Sequence, residues 1–244
     1  VEAERAIERK LSAFPVPELE WERWRQDVLM NYYGVGVDMD LVTGALAIQE
    51  EGVERLTNEA IALTGLENPN SPTQILKWVN AEGVELKSIR KKDVQNALSG
   101  DLPPKVRRAL EIRQQLGKTS VKKYDAILSS VCKDERVRGI SQFYGARTGR
   151  FSGRLVQMQN LPRNYLEPLA DVREIVKARN YEVLDLIYPS IADTLSQLIR
   201  TAFVPKNGKK YVVADFSAIE ARVIAWLARE EWVNQVFATH GKIY

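Results

Sequence analysis

One cysteine and one histidine in 244 residues remove several kinds of chemistry at once. Cys132 has no partner for an internal disulfide, and with His240 it is too little for a zinc cluster or for Cys-His catalysis. Any metal must therefore be held by oxygen ligands. No apolar run approaches the roughly 18 residues of a membrane span, and the charged start Val1-Glu2-Ala3-Glu4-Arg5 is no signal peptide. A reducing cytoplasm is the expected setting, with no membrane partner. Internal repeats and low-complexity tracts are missing too. The chain opens on Val1 instead of Met and stops at Gly241-Lys242-Ile243-Tyr244 directly after a helical pattern, which reads as a piece cut from something longer.

What is present is ordinary for a soluble globular chain: 45% hydrophobic and 27% charged residues, enough for a core without staples, over a length that suggests two domains. Net charge is only +3, but it is unevenly spread. From Lys87 to Lys123 eleven Lys and Arg face three acidic residues, an excess of eight that fits a polyanion partner or, alternatively, a solvated helical face.

The first 130 or so residues read as helical. Ala3, Ile7 and Leu11 share one face, Phe14-Pro15-Val16-Pro17 breaks the pattern, and a helix follows from Leu19 to Tyr33. Gly34 to Asp38 is a turn or short strand leading into a helix from Met39 to about Leu63. Ser71 is placed to cap a further helix with Pro72 in its first turn, and one long helix is expected after Pro103-Pro104, where Val106, Leu110 and Ile112 begin it, to near Val131. The texture then changes. Val137 to Tyr144 alternates like strand, and Ala146 to Pro162 is a loop rich in Gly, Arg, Asn and Gln. Residues 165–200 return to helical patterning. Tyr211 to Phe216 reads as a strand ending in Asp215 and feeding a helix from Ser217 to Ala228.

A carboxylate at the mouth of a sheet can share a divalent ion with phosphate oxygens, since Mg²⁺ takes one or two carboxylates plus phosphates and water. Asp215 could equally help start the helix, and Ser217-x-x-Glu220 is a capping-box pattern in its own right.

Asp215-Phe216-Ser217-Ala218-Ile219-Glu220-Ala221-Arg222 resembles the first palm motif of the family A (bacterial DNA polymerase I-like) DNA polymerases, usually Asp-Tyr-Ser-Gln-Ile-Glu-x-Arg. Ile199-Arg200-Thr201-Ala202-Phe203-Val204-Pro205 is similar to its lead-in. Upstream and in the right order, Thr148-Gly149-Arg150-Phe151-Ser152 and Gln157-Met158-Gln159-Asn160-Leu161-Pro162 look like the family's Thr-Gly-Arg-Leu-Ser and Asn-Leu-Gln-Asn-Ile-Pro. Weaker likenesses are Gly34 to Asp38 at the thumb entry, Asn70 to Gln74, and Leu116-Gly117-Lys118-Thr119 in a basic thumb helix. The opening Val1 to Arg5 and the extra stretch of about 35 residues between Arg163 and Leu198 look phage-like.

The resemblance implies an α+β, mostly α fold: a linker over 1–20 after a missing exonuclease domain, a helical thumb over 21–133, and over 134–244 the start of a mixed-sheet palm. It implies template-directed DNA synthesis for DNA replication, with primer-template DNA and deoxynucleoside triphosphates as partners. Two Mg²⁺ ions would serve the intact enzyme and bind weakly or not at all to this piece. Asp215 would be the catalytic bridging ligand, with the Phe216 carbonyl on one ion, and Glu220 the gate that excludes a ribose 2′-hydroxyl. Arg150, Gln157, Gln159 and Asn160 would read the minor groove at the primer end, where every correct pair offers acceptors, and Thr148 would contact DNA beside them. Lys118, Lys122 and Lys123 would hold duplex phosphates.

Phe216 and Ala218 depart from the usual Tyr and Gln. The family's fingers helix and its His-Asp-Glu do not occur, and His240, followed by Gly241, reads as a surface histidine. The piece alone is therefore expected to bind DNA without catalysis. Two other readings stay open: a DNA-binding module without chemistry, and a single-subunit RNA polymerase, which the acidic Glu220 disfavours.

Overall fold

Two helices separated by the Phe14 to Pro17 break open the chain, α1 (Glu2–Leu11) and α2 (Glu18–Tyr33). Only Asp27 of the two is buried. The computed structural model describes residues 1–118, 121–239 and 241; His240, expected at the surface, and Thr119 of the basic motif lie outside them. The chain forms two compact units, residues 1–204 and 205–244.

In the first unit, β1 (Val35–Val37) leads into α3 (Met39–Thr64). Asp38 caps α3 by accepting from the Leu41 amide at 3.1 Å. The other carboxylate oxygen of Asp38 takes Arg173 at 2.5 Å and Lys177 at 3.1 Å, so one side chain both starts a helix and ties down a distant one. Three helices follow: α4 (Pro72–Ala81), capped by Ser71 with Pro72 in its first turn as expected, α5 (Lys91–Leu98) and α6 (Pro104–Leu116). The long helix expected through Val131 is instead two, because α6 ends at Gly117 and α7 (Lys122–Ser130) resumes beyond it. Their apolar faces serve different cores. Val106, Ala109 and Leu110 of α6 join Ile75, Val79 and Val94 in a small core, whereas Tyr124 and Ile127 of α7 enter a large one with Leu41, Val42 and Ile48 of α3.

The alternating stretch near residue 140 splits at Gly139, whose φ of +66° turns the chain. The result is β2 (Arg136–Val137) and β3 (Ser141–Gln142), followed by β4 (Ser152–Gly153). Residues 165–200 form α8 (Leu169–Lys177), α9 (Tyr181–Ile187) and α10 (Ile191–Leu198), with α9 capped by Asn180 and α10 by Ser190. The last strand of the unit is β5 (Phe203–Val204). Strand β1 lies centrally, antiparallel to β2 (Val35 opposite Val137) and to β5 (Val37 opposite Phe203). A separate hairpin pairs β3 with β4. Twelve α-helices against two small sheets, among the described residues, make the fold α+β and mostly α.

Two arginines of the β2 edge close the end of α2. Arg136 donates to the carbonyls of Tyr33 (2.7 Å) and Gly34 (2.8 Å), and Arg138 to that of Tyr32 (2.9 Å), oxygens that a helix end leaves without internal partners. Arg138 also makes a two-point bond to Asp134, at 2.8 and 2.7 Å. That hydrogen bond pushes the Asp134 carboxyl down from 3.8 to about 2. Because the folded value is depressed, the pairing stabilises above the ordinary carboxylate pKa and is lost as pH falls from about 4 toward 2. In an NMR titration, Arg138→Ala is expected to return the Asp134 midpoint toward 3.8.

The second unit carries α11 (Ile219–Ala228) and α12 (Glu231–Thr239), packed through Ala225, Phe237 and the Arg222 guanidinium 4.5 Å over the Phe237 ring. The strand expected over Tyr211 to Phe216 is not formed: Val212 is 85% and Val213 91% exposed, in irregular backbone. A strand is stabilised by its neighbours in a sheet, and the regular elements described in this unit are both helices. The helix begins at Ile219, two residues later than expected.

Candidate nucleic-acid interface

The loop from Ala146 to Pro162 folds into two exposed ledges held from below. On the first, Gly149 donates to the Ala146 carbonyl (2.9 Å) and Ala146 to that of Arg150 (3.2 Å), a tight turn that leaves Thr148 and Arg150 exposed. The hairpin beneath it is fixed by Asn31 of α2, which uses both ends of its amide: it donates to the Ser141 carbonyl (2.9 Å) and accepts from the Ser141 amide (3.1 Å). Asn31 thus imitates a neighbouring strand. Only a polar residue near the end of a helical stretch hints at this in the sequence.

On the second ledge, Val156 (1% exposed) and Leu161 (5%) point into the large core, with Met158 packed against it. Between these anchors Gln157, Gln159 and Asn160 are exposed. The backbone that makes this alternation is unusual: Gln157 sits in the left-handed region (φ 53°, ψ 63°), and Met158 to Asn160 form a single 3₁₀ turn. Two cations brace it. Lys123 donates to the Val156 carbonyl (2.8 Å) and Arg200 to that of Leu161 (2.7 Å). The Gln159 side chain lies across Gly153 of β4, where a Cβ would meet its amide oxygen, so the glycine lets Gln159 lie close against the hairpin.

The three lysines named from the sequence sit differently. Lys122 is exposed on α7. Lys123 is half-buried and donates to the Val156 carbonyl. Lys118 is half-buried and ion-paired to Asp193 of α10.

In the second unit, Asp215, Phe216 and Glu220 are all exposed, just before and within the first turn of α11. Ala218 is the N-cap, so Ser217 is not, and Ser217-x-x-Glu220 does not act as a capping box. Instead the Ser217 carbonyl accepts from Arg222 at 2.8 Å. Among the described residues no group of three His, Cys, Asp or Glu side chains gathers as a metal site. One carboxylate with a neighbouring backbone carbonyl still matches a hard cation that draws its other oxygens from substrate phosphates and water. The donor chemistry fits a metal shared with a substrate better than a resident one.

A family model described as DNA polymerase family A matches residues 44–244. A protein of Bacillus phage SP02 named DNA polymerase is 49% identical over 245 residues, covering 100% of this chain and 38% of its own length. The chain thus spans well under half of that relative.

Proposed function

This chain belongs to the family A DNA polymerases, and on that footing we propose that it forms the thumb (21–133) and the first part of the palm (134–244) of a DNA-directed DNA polymerase, with 1–20 as the lead-in. In this reading the ledges take the primer end. The observation that supports it best is the exposed row Gln157, Gln159 and Asn160 above the buried Val156 and Leu161: amide donors on a rigid footing can test minor-groove acceptors without reading sequence. Arg150 and Thr148 extend that row, and Lys118, Lys122 and Lys123 hold phosphates.

Asp215 and the Phe216 carbonyl would hold divalent metal, two Mg²⁺ ions in the intact enzyme, which lower the pKa of the primer hydroxyl and steady the triphosphate. Loss of the capping-box alternative leaves Glu220 compatible with a gate against the 2′-hydroxyl. Family membership sets the RNA polymerase reading aside.

A fluorescence anisotropy titration of a primer-template duplex at three salt concentrations tests the DNA-binding part. Binding is expected without sequence preference, near 10⁻⁴–10⁻⁶ M (roughly the non-specific range) at physiological salt. Lys122→Ala should flatten the slope of log K against log salt by up to about 0.9. Arg150→Ala should weaken binding to a primer end more than to plain duplex. No binding at low salt would overturn the reading. Without the second carboxylate motif, the chain alone should not extend a primer.

A further inference from the structure

Among the described residues, Lys118 is the one proposed phosphate ligand paired with a carboxylate. Where the start of α5, the end of α6 and the first turn of α10 meet, they leave an open cleft of about 710 Å³ lined by Lys91, Gln95, Arg113, Gln114, Lys118 and Asp193, among others. Three cations face one carboxylate there. Among the described residues, neither Lys91 nor Arg113 has a carboxylate within 4.0 Å, so the cleft keeps an excess of two positive charges. The two glutamines add neutral donors suited to phosphate oxygens.

The carboxylate itself comes from elsewhere. Asp193 belongs to the phage-like segment between Arg163 and Leu198, whereas Lys91, Arg113 and Lys118 all belong to the basic stretch of the helical region. Its place is fixed: its amide bonds to the Ser190 cap at 3.3 Å, and the first turn of α10 favours a negative side chain. Yet it is 58% exposed, while the lysine it grips is only 25% exposed. A carboxylate so held and so open to solvent can be displaced without unfolding anything.

We propose that this cleft is a phosphate site for the nucleic-acid backbone and that Asp193 is its built-in competitor, occupying Lys118 until a phosphate replaces it. The segment carrying α10 thereby lowers duplex affinity and its salt dependence. A duplex as the source of the phosphate rests on the polymerase reading above; the cleft and its competitor do not.

The test is a double-mutant cycle on the whole chain: unchanged, Asp193→Asn, Lys118→Ala and both together, each titrated with duplex DNA and separately with inorganic tripolyphosphate. Asp193→Asn is expected to bind either anion about two- to five-fold tighter, the scale of a solvent-screened ion pair. For duplex the salt slope should steepen by up to about 0.9, one more phosphate neutralised. In the Lys118→Ala background the same substitution should change nothing. No gain, or an equal gain in both backgrounds, overturns the proposal, because the second outcome reports only a lost negative charge. Coupling with tripolyphosphate but no duplex binding by any of the four proteins would keep the cleft and overturn the DNA-binding reading instead.

Discussion

Asp215→Asn in a full-length polymerase carrying this segment is expected to slow primer extension by about 10³-fold or more, with duplex affinity unchanged. The amide keeps the size of the carboxylate and removes its charge. A metal clamp on a phosphoryl centre supplies several kcal/mol, and about 4 kcal/mol corresponds to about 10³ in rate. Asp215 is exposed and enters neither hydrophobic core, so the loss would not be a folding defect. Single-turnover extension with circular dichroism of the same preparation is the measurement. A loss smaller than about tenfold would take Asp215 out of metal binding.

The largest expected effect on stability lies far from that carboxylate. Gly44, in the first half of α3, faces the backbone of α8, and a Cβ placed on it would run into the Val176 carbonyl. Neither neighbour can yield cheaply, because the obstacle is backbone, and Val176 and Val42 on either side are fully buried. Overpacking a core costs about 1–3 kcal/mol, and Gly44→Ala should sit at the top of that range despite the better helix propensity of alanine. For a domain of this size that is a fall of roughly 6–12 °C in Tm. Urea unfolding checks it, with Gly100→Ala as the control, since a Cβ there meets only the Ala97 carbonyl at 3.4 Å. A Gly44→Ala chain as stable as the original would mean that α3 and α8 are not packed as described.

Local signals in the sequence carried local structure well. The Ser71-Pro72 start, the length of α3 and the break before α2 all follow from caps, periodicity and proline, whose effects reach only a few residues. The expectations that missed depend on partners far along the chain. Val212 and Val213 have the composition of a strand, but a strand needs a sheet, and composition does not say whether one is present. Leu110 and Tyr124 lie in what reads as one long helix, and only the folded chain assigns them to separate cores. At the ledges, the motif letters marked Gln157 to Asn160. Nothing in them marked Asn31, Lys123 and Arg200 as the groups that hold the hairpin and the amide row in place, because those bonds join residues 33 to 110 positions apart. Gly44 was equally silent, being one glycine in an otherwise regular helical pattern.

Helix α3 has a mechanical consequence. Its first half is rooted in the large core through Leu41, Val42, Ala45 and Ile48, and Leu63 near its other end packs against the small one. A helix of 26 residues is a rod of about 39 Å at 1.5 Å per residue. If its root tilts by only about 5°, the far end swings by about 3 Å, about twice the 1.5 Å rise of one helical residue. Small repacking around Gly44 is thereby geared up into a larger displacement where the small core sits.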